Sequence, residues 1–336
     1  MRQKPIVAIT MGEASGIGPE ILVKVLAEKK IHEICRPLAV GDGKILQRAA
    51  ELFKANIEFN KILSPRDAIW DESVINLIDH DRIDLSELQP GRPNATTGQA
   101  MLEDTKLLVE YFTQGSIHAG VGGPHSKKAA ELAGYNFVGY PYYIADLIGA
   151  PNPFMMLVAG KLRIANTTLH VSLKEACDMI TKQLVLEVIE AVNDAVGLFG
   201  IDNPRIAVTG LNPHAGEEGM FGTEETDQIQ PAIEEANTKG IEAFGPFPAD
   251  SLFYQCNTNP RYDAYVCMYH DQAHIPVKVE SFLKASAVAI GIPYIFATVD
   301  HGCAPDIAWQ GVADHGVIRT TIELVSQMAK NKFSLS

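Results

Sequence analysis

The sequence lacks any apolar run of the roughly 18 residues that a membrane-spanning helix needs, so no membrane partner is expected. It also lacks an excess of positive charge, because 41 acidic residues outnumber 28 basic ones and give a formal net charge of -13. Nucleic acids and anionic membranes attract clustered Lys and Arg, so neither is expected as a partner. A small anion in a local basic pocket is compatible with this balance.

Cysteine is scarce, and the five cysteines show no CxxC spacing. An odd number of scattered thiols is typical of free cysteines in a reducing compartment. The first residues, MRQKPIVAIT, carry basic charge but lack the apolar core of about 7 to 15 residues that a secretory signal has. A cytoplasmic protein is therefore expected.

Short β-branched runs alternate with longer amphipathic segments, as in IVAIT followed by PEILVKVLAEKK, and RPLAV followed by GKILQRAAELFKA. This alternation predicts an α/β fold with mostly parallel sheets. In FMMLVAGKLRIANTT two strand-like runs flank a Gly-Lys pair, which predicts an antiparallel hairpin and hence a mixed sheet. The 336 residues suffice for about two domains, and since no linker separates them, two domains that share a cleft are expected.

Three histidines each follow an apolar, strand-like run: His170 in LRIANTTLH, His214 in RIAVTGLNPHAGEEG and His270 in YDAYVCMYHDQ. Ligands of open α/β sheets collect at the carboxyl ends of the strands, so these side chains can meet although they are distant in sequence. Three imidazoles and an open position suit a catalytic divalent ion. Zn²⁺ fits best, with Mn²⁺, Co²⁺ or Mg²⁺ as alternatives. The simpler interpretation is that a histidine near a strand is structural.

Two glycine-containing turns are candidates for a cofactor site. In ITMGEASGIGPEI, Gly12 and Gly16 follow the first strand, although the spacing is not GxGxxG and a tight strand-to-helix turn explains the glycines equally well. In TVDHGCAPDIAWQG, backbone N–H groups could lie against a dinucleotide. The residues expected to contact it there are His301, Gly302, Ala304 and Asp306.

Charged residues near the histidines are candidates for catalysis. Asp250 in GPFPAD and Asp271 beside His270 would orient the histidines or relay a proton, and a helix cap or a structural brace is the alternative for each. Lys278 in HIPVK would neutralise a substrate carboxylate, and the alternative is a solvated surface lysine.

Five segments occur in a fixed order along the chain: GEASGIGPE, GLNPHAGEEGMFG, GPFPAD, MYHDQAHIPVK and VDHGCAPDIAWQG. Together they resemble the 4-hydroxythreonine-4-phosphate dehydrogenase family (PdxA) of vitamin B6 synthesis. The HGCAPDIA loop and the early GIGPE are also similar to β-decarboxylating dehydrogenases such as isopropylmalate dehydrogenase. In those enzymes the corresponding loop holds the adenosine half of NAD.

The resemblance implies an isocitrate/isopropylmalate dehydrogenase-like fold of two α/β domains with a cleft between them. Residues 1–125 and 286–336 would form the cofactor domain, and residues 126–285 the metal, substrate and dimerisation domain. It also implies a homodimer whose subunits share the metal ligands His170, His214 and His270. In the implied reaction NAD or NADP oxidises a β-hydroxy acid, and the β-keto acid so formed loses CO₂.

The chain departs from the vitamin B6 enzymes at two places. Gly139, Tyr140 and Pro141 stand where those enzymes carry Gly-His-Thr, and Ala287 and Phe296 stand where they hold the substrate phosphate with an Asn and an Arg. Each lost charge-assisted hydrogen bond is worth about 1.5 to 3 kcal/mol, which predicts poor phosphate binding. Apolar replacements would suit a carbon ring. The expected substrate contacts, besides Lys278, are Tyr140, Pro141, His125 and Lys127, the last of which matches a lysine of the family.

The motifs FVGYP, GPHSK and FMMLVAGKLRIANTTLH resemble the terephthalate cis-dihydrodiol dehydrogenase branch of the family more closely. The main prediction is therefore oxidative decarboxylation of a non-phosphorylated, carboxylated substrate, such as a cis-dihydrodiol of aromatic catabolism. One alternative is a dehydrogenase of 4-hydroxythreonine 4-phosphate, or of a phosphorylated threonate or erythronate, in which Lys284 replaces the lost phosphate contacts. The other is an inactive, metal-binding homologue, since a fold does not guarantee a function.

Overall fold

The computed structural model describes residues 3–54, 57–71, 73–150, 152–281 and 285–335. The chain divides into two compact units, Met1–Pro151 with Ile292–Ser336, and Asn152–Gly291. These boundaries differ from the expected ones, because residues 126–151 belong to the first unit and residues 286–291 to the second.

Short runs of four to six residues, most of them apolar, form the strands. In chain order they are β1 (Ile6–Thr10), β2 (Arg36–Gly41), β3 (Phe59–Ile62), β4 (Ile75–Asp79), β5 (Ala119–Gly122), β6 (Phe154–Ala159), β7 (Leu162–Asn166), β8 (Ile206–Thr209), β9 (Ala243–Phe247), β10 (Ala264–Cys267), β11 (Ser286–Ile290) and β12 (Phe296–Val299).

Amphipathic segments form the helices between them. In chain order they are α1 (Gly18–Leu26), α2 (Lys29–Ile34), α3 (Gly43–Leu52), α4 (Ala95–Thr113), α5 (Lys127–Leu132), α6 (Tyr140–Ile148), α7 (Leu173–Met179), α8 (Lys182–Gly197), α9 (Gln230–Thr238), α10 (Ala249–Thr258), α11 (His270–Ser281) and α12 (Gly316–Phe333). Several begin at a side chain that accepts a hydrogen bond from the first turn, such as Asp42, Asn94 and Thr181. Within the described ranges, no helix is both long enough and apolar enough to cross a membrane.

The first unit contains a parallel sheet with the strand order β3-β4-β2-β1-β5-β12. Its central strands are buried on both faces, as strands covered by helices on two sides must be, and Val7, Ile9 and Leu38 are wholly buried. Helices α5 and α6 pack against α4 of this unit, which explains why residues 126–151 belong here. The predicted α/β class with a parallel sheet is confirmed.

The second unit contains a mixed sheet with the strand order β11-β6-β7-β10-β8-β9. Strands β7, β10, β8 and β9 are parallel, whereas β11 and β6, and β6 and β7, pair antiparallel. The turn between β6 and β7 contains Gly160 at φ +59°, a backbone conformation that glycine adopts without steric cost. The predicted hairpin and the predicted mixed sheet are both confirmed.

A close approach between α4 and α5 gives the first prediction. A Cβ added at Gly98 on α4 would lie 2.0 Å from the Ala129 carbonyl oxygen, whereas one at Gly197, the last residue of α8, would meet nothing within 4 Å. Overpacking of this kind typically costs about 1 to 3 kcal/mol, which outweighs the gain of up to about 1 kcal/mol in helix propensity.

Gly98→Ala should therefore lower the urea midpoint of unfolding, while the matched control Gly197→Ala should leave it unchanged or raise it slightly. Circular dichroism in a urea titration measures both variants. Equal midpoints for the two variants would contradict the tight helix contact.

Candidate active site

Four parallel strands of the second unit, β7, β10, β8 and β9, lie side by side in this order. Parallel strands end at the same edge of a sheet. The segments that follow these four strands carry His170, His270, His214 and Asp250, respectively. The structure thus places the three predicted metal-binding histidines, and one predicted catalytic carboxylate, along one edge.

The segments after β7 and β10 are hydrogen-bonded to each other. The Thr167 N–H donates to the Cys267 carbonyl (2.8 Å), and the Thr168 hydroxyl donates to the Met268 carbonyl (2.8 Å). These bonds bring His170 and His270 together, with ring centroids 6.1 Å apart. Both histidines line a pocket of about 320 Å³.

Two neighbours on α11 hold His270. Its Nδ1 lies 2.7 Å from Asp271 Oδ1, and the His274 ring stacks on it with centroids 3.7 Å apart and planes 6° from parallel. His274 Nδ1 lies 3.0 Å from the His270 carbonyl oxygen, which can only accept, so this nitrogen carries a proton. The nitrogen lone pairs of two stacked, parallel rings lie in parallel planes and do not point at a common ion. The stack therefore suits packing of His274 against His270 better than joint binding of one metal ion by both rings. The i, i+4 spacing was the signal that sequence reasoning missed.

His214 lies in a left-handed turn. Residues 214–218 have φ values of 55°, 55°, 83°, 45° and 56°, and Gly216 is the third of them. The left-handed conformation costs roughly 1 to 2 kcal/mol for each residue other than glycine, so surrounding contacts must compensate. The His214 side chain is 67% exposed, and its Nδ1 lies 2.9 Å from Glu217 Oε2.

The three histidines do not converge within one chain. Across the described ranges, no three His, Cys, Asp or Glu side chains lie close enough together to hold a metal ion. The His214 ring bonds to Glu217 of its own turn, while His170 pairs with His270. A site completed by a second subunit remains a prediction.

The donor chemistry nevertheless suits a divalent ion. Histidine ligands usually donate the ring N–H that does not face the metal to a carboxylate or a carbonyl, which fixes the tautomer and leaves Nε2 as the metal-binding atom. Asp271 and Glu217 occupy this position at His270 and His214. Imidazole nitrogens braced in this way are suited to Zn²⁺ and similar ions.

Gln272 is a structural residue of the site that sequence reasoning missed. Its Oε1 accepts from the Met268 N–H (2.9 Å) and the Thr209 hydroxyl (3.0 Å), and its Nε2 donates to the Gly210 carbonyl (2.9 Å). The side chain thereby ties the end of β8 to the segment after β10. Its place in the YHDQ run gave no signal, because the partner on β8, Thr209, lies 63 residues away.

The predicted catalytic carboxylates border one pocket of about 370 Å³. Asp250, in the first turn of α10, and Asp271 both line it, and its other walls are mostly apolar, including Phe253 and Ile275. Lys278 is half-buried on α11, eight residues after His270. Positions separated by eight residues lie on the same helix face, so Lys278 and His270 share a face of α11.

In the first unit, the glycine-rich turn after β1 packs against the loop after β12. A Cβ at Gly16 would lie 2.6 Å from Cys303 Cβ, and one at Gly12, where φ is +76°, would lie 2.4 Å from the Pro124 carbonyl oxygen. The Ile17 N–H also donates to the Cys303 carbonyl (3.0 Å). Close packing accounts for both glycines, so their contact with a cofactor stays a prediction.

The same turn and loop border a pocket of about 320 Å³ in the first unit. Its lining includes Glu13, Gly16, His125, Lys128, Cys303 and Pro305. The predicted substrate residue His125 is thus at a pocket, whereas Lys127 lies exposed on α5 outside its lining and Lys128 takes that place. Burial, reinforced by Glu13, raises the pKa of the Cys303 thiol to about 12, which favours the protonated thiol near neutral pH.

The predicted cofactor residues of the second loop are accessible. His301 and Ala304 are partly exposed, and Gly302 and Asp306 are exposed. His301 Nδ1 lies 3.0 Å from the Gly302 carbonyl oxygen, and Ala304 has φ +42°. The loop therefore offers backbone groups at the carboxyl end of β12, as the predicted cofactor contact requires.

Tyr140 and Pro141 were predicted to contact the substrate, but both are buried. Tyr140 is 1% exposed, its hydroxyl donates to the Gly123 carbonyl (3.0 Å), and its ring packs against Phe296 and His125. Burial also raises the pKa of this hydroxyl far above its usual range. The prediction of direct contact is therefore corrected, since Tyr140 supports His125 from behind.

The residues that replace the phosphate ligands of the vitamin B6 enzymes are also core residues. Ala287 on β11 belongs to a buried apolar cluster with Leu157 and Tyr265, and Phe296 on β12 is 1% exposed. Neither offers a surface to a substrate ring, so the argument that they suit a flat carbon ring is wrong. Lys284, the expected substitute for the phosphate contacts, lies outside the described residues.

A model of the family described as pyridoxal phosphate biosynthetic protein PdxA matches residues 33–325 of the chain. A 4-hydroxythreonine-4-phosphate dehydrogenase of Desulforapulum autotrophicum is 38% identical, over 97% of this chain and 96% of its own length. A putative D-threonate 4-phosphate dehydrogenase of Symbiobacterium thermophilum is 37% identical over 98% of both proteins.

Solved structures give the same picture. A 4-hydroxythreonine-4-phosphate dehydrogenase from Klebsiella pneumoniae matches with a TM-score of 0.89 and 35% identity, covering 98% of this chain and 99% of its own. A terephthalate 1,2-cis-dihydrodiol dehydrogenase from Burkholderia xenovorans matches with a TM-score of 0.69 and 32% identity, covering 96% and 98%.

A β-decarboxylating dehydrogenase from Thermococcus kodakarensis, at 14% identity and a TM-score of 0.51, covers 99% of this chain and 84% of its own. This likeness concerns the fold alone, and it confirms the predicted isocitrate/isopropylmalate dehydrogenase-like class.

The role of Gln272 is testable by Gln272→Met, with Gln255→Met on the exposed part of α10 as the matched control. The first substitution leaves the Met268 N–H and the Gly210 carbonyl without their partner, and each such loss costs about 1 to 3 kcal/mol. Gln272→Met should lower the free energy of unfolding by about 2 kcal/mol or more, measured by urea denaturation. A change no larger than that of the control would show that Gln272 does not tie the two strand ends.

Proposed function

Because the chain belongs to the PdxA family, we propose that it is a metal-dependent, NAD(P)-linked dehydrogenase of a β-hydroxy acid whose β-keto product loses CO₂. The observation that carries this proposal is the row of His170, His270 and His214 after three adjacent parallel strands. Carboxylates that brace two of these rings add to it.

His170, His214 and His270 would hold the divalent ion, with Zn²⁺ the best-suited metal. When bound, such an ion acts as a Lewis acid on a substrate hydroxyl or carbonyl. Since no complete set of ligands forms in the described part of one chain, the site would be completed in a homodimer, in which each centre takes histidines from both subunits.

Charged residues of the chain would bind and orient the substrate around this centre. Asp271, 2.7 Å from His270 Nδ1, would fix the tautomer of that ring, and Lys278, on the same face of α11, would neutralise the substrate carboxylate. Asp250 and Asp271 border the same pocket and are the candidates to accept the hydroxyl proton. In the first unit, the turn with Gly12 and Gly16 and the loop with His301, Gly302, Ala304 and Asp306 would bind the dinucleotide.

For the substrate, the comparisons favour the alternative over the main prediction. Relatives named for 4-hydroxythreonine 4-phosphate or D-threonate 4-phosphate match over almost the whole chain at 37 to 38% identity. We therefore propose a 4-phosphorylated hydroxy acid as the first candidate. Because Ala287 and Phe296 stand where the vitamin B6 enzymes use an Asn and an Arg, the phosphate would need a basic residue elsewhere in the site.

A carboxylated cis-dihydrodiol is retained as the second candidate for one specific reason. The chain is 32% identical, over 96% of its length and with a TM-score of 0.69, to a protein named as a terephthalate 1,2-cis-dihydrodiol dehydrogenase.

An assay of reduced nicotinamide formation tests these candidates. Enzyme supplied with Zn²⁺, Mn²⁺ or Co²⁺ should turn over a panel member with NAD⁺ or NADP⁺. The panel contains 4-hydroxythreonine 4-phosphate, D-threonate 4-phosphate and terephthalate cis-dihydrodiol. Turnover should fall at least about 100-fold after chelation or in His270→Ala, because a Lewis acid contributes several kcal/mol to such a step.

Glu218→Gln, an exposed substitution in the turn of His214, serves as the control and should retain activity. Activity with the phosphate esters alone would support the first candidate, and activity with the diol alone the second. A metal-independent reaction, or no binding of NAD⁺, NADP⁺ or metal, would contradict the proposed function.

A further inference from the structure

The turn that carries His214 needs an external support. Five consecutive residues, 214–218, adopt the left-handed conformation, and only Gly216 among them lacks a Cβ. The bond between His214 and Glu217 joins two members of the same turn, so it cannot fix the position of the turn as a whole. The contacts that do so must come from outside residues 214–218.

Glu225 supplies these contacts. Its side chain is 4% exposed at the start of a π-helical turn, Glu225–Ile229, that leads into α9. Oε1 accepts hydrogen bonds from the Leu211 N–H (2.8 Å) and the Asn212 N–H (2.7 Å), and Oε2 accepts one from Asn212 Nδ2 (3.0 Å). Three donors from the two residues before Pro213 thus converge on one buried carboxylate.

The backbone also closes around this carboxylate. A Cβ at Gly216 would lie 2.7 Å from Glu225 Oε2, and one at Gly210 would lie 2.9 Å from Oε1. The same Cβ at Gly210 would lie 2.8 Å from the Cα of Ala215. Glycine is therefore required at both positions, so that the segments before and within the turn can approach Glu225.

We propose that Glu225 is the positioning residue of His214. It fixes the end of β8 and the left-handed turn through Leu211, Asn212 and the space at Gly216, and it thereby sets where the imidazole stands. The importance of that position for metal binding rests on the proposed function. The hydrogen bonds of Glu225 are independent of the proposed function.

A carboxylate is needed because both of its oxygens accept. In Glu225→Gln, one oxygen becomes an NH₂ group, which would face an N–H donor of Leu211 or Asn212, or the amide of Asn212. Glu224 is not an equivalent support, because the hydrogen bond that it accepts from Asn212 (2.7 Å) comes from the side-chain Nδ2 and not from the backbone. The matched control is Glu218→Gln, which makes the same change of charge at an exposed position of the turn.

Site-resolved hydrogen–deuterium exchange and Co²⁺ titration of the full chain test the proposal. In Glu225→Gln, the amide hydrogens of Leu211 and Asn212 should exchange at least tenfold faster than in the parent chain. It should also bind Co²⁺ at least tenfold more weakly, with an altered visible spectrum of the bound ion. Glu218→Gln should match the parent in all three measurements, and parental behaviour of Glu225→Gln would overturn the inference.

Gly216→Ala is the second variant, used if Glu225→Gln does not fold. It keeps the carboxylate but places a methyl group against Oε2, so it should show the same faster exchange and weaker Co²⁺ binding. Parental exchange in this variant would also overturn the inference. If the parent chain bound no Co²⁺, the proposed function would fail, and the exchange rates at Leu211 and Asn212 would still decide the role of Glu225.

Discussion

The parallel pairing of β7, β10, β8 and β9 is the constraint on which the candidate site depends. Cα partners such as Asn166 and Cys267, and Val266 and Val208, fix the register of neighbouring strands, so the strands end together at one edge. Segments that are distant in sequence become neighbours there, and each brings one polar side chain to the edge. A histidine pair forms after β7 and β10, and His214 follows the next strand.

Buried polar side chains then determine how each segment leaves its strand. Gln272 ties the end of β8 to the segment after β10, and Glu225 binds the backbone before His214. In the first unit, the same task falls to close packing, because Gly16 lies against Cys303. His214 and His270 can remain partly exposed because these buried partners fix the segments that carry them. Gln272 and Glu225 are therefore as important for the geometry of the candidate site as the histidines are.

Sequence patterns predicted the features that arise locally. The alternation of strand-like and amphipathic segments predicted the parallel sheets, and the Gly-Lys pair predicted the hairpin at Gly160. Because each of the three histidines follows a strand-like run, the sequence also predicted that they lie at one edge of the sheet. The roles of Gln272 and Glu225 were not predictable, because their partners are defined by tertiary contacts and not by spacing. The prediction that Tyr140 contacts the substrate was wrong for the same reason. An aromatic residue after a glycine is equally compatible with a substrate contact and with a place in the core, and Tyr140 is buried. The argument for a carbon-ring substrate was wrong because Ala287 and Phe296 were treated as surface replacements, whereas both are buried.

The central claim is that the three strand-end histidines form one catalytic centre completed by two subunits. The most direct test mixes inactive His170→Ala, His214→Ala and His270→Ala chains in pairs, after unfolding and joint refolding, and measures dehydrogenase activity. A shared centre takes two histidines from one subunit and one from the other. Two of the three mixtures should then regain up to about a quarter of the parental activity, and the third should remain inactive. Failure of all three mixtures, with the unmixed parent recovering under the same refolding, would contradict the claim.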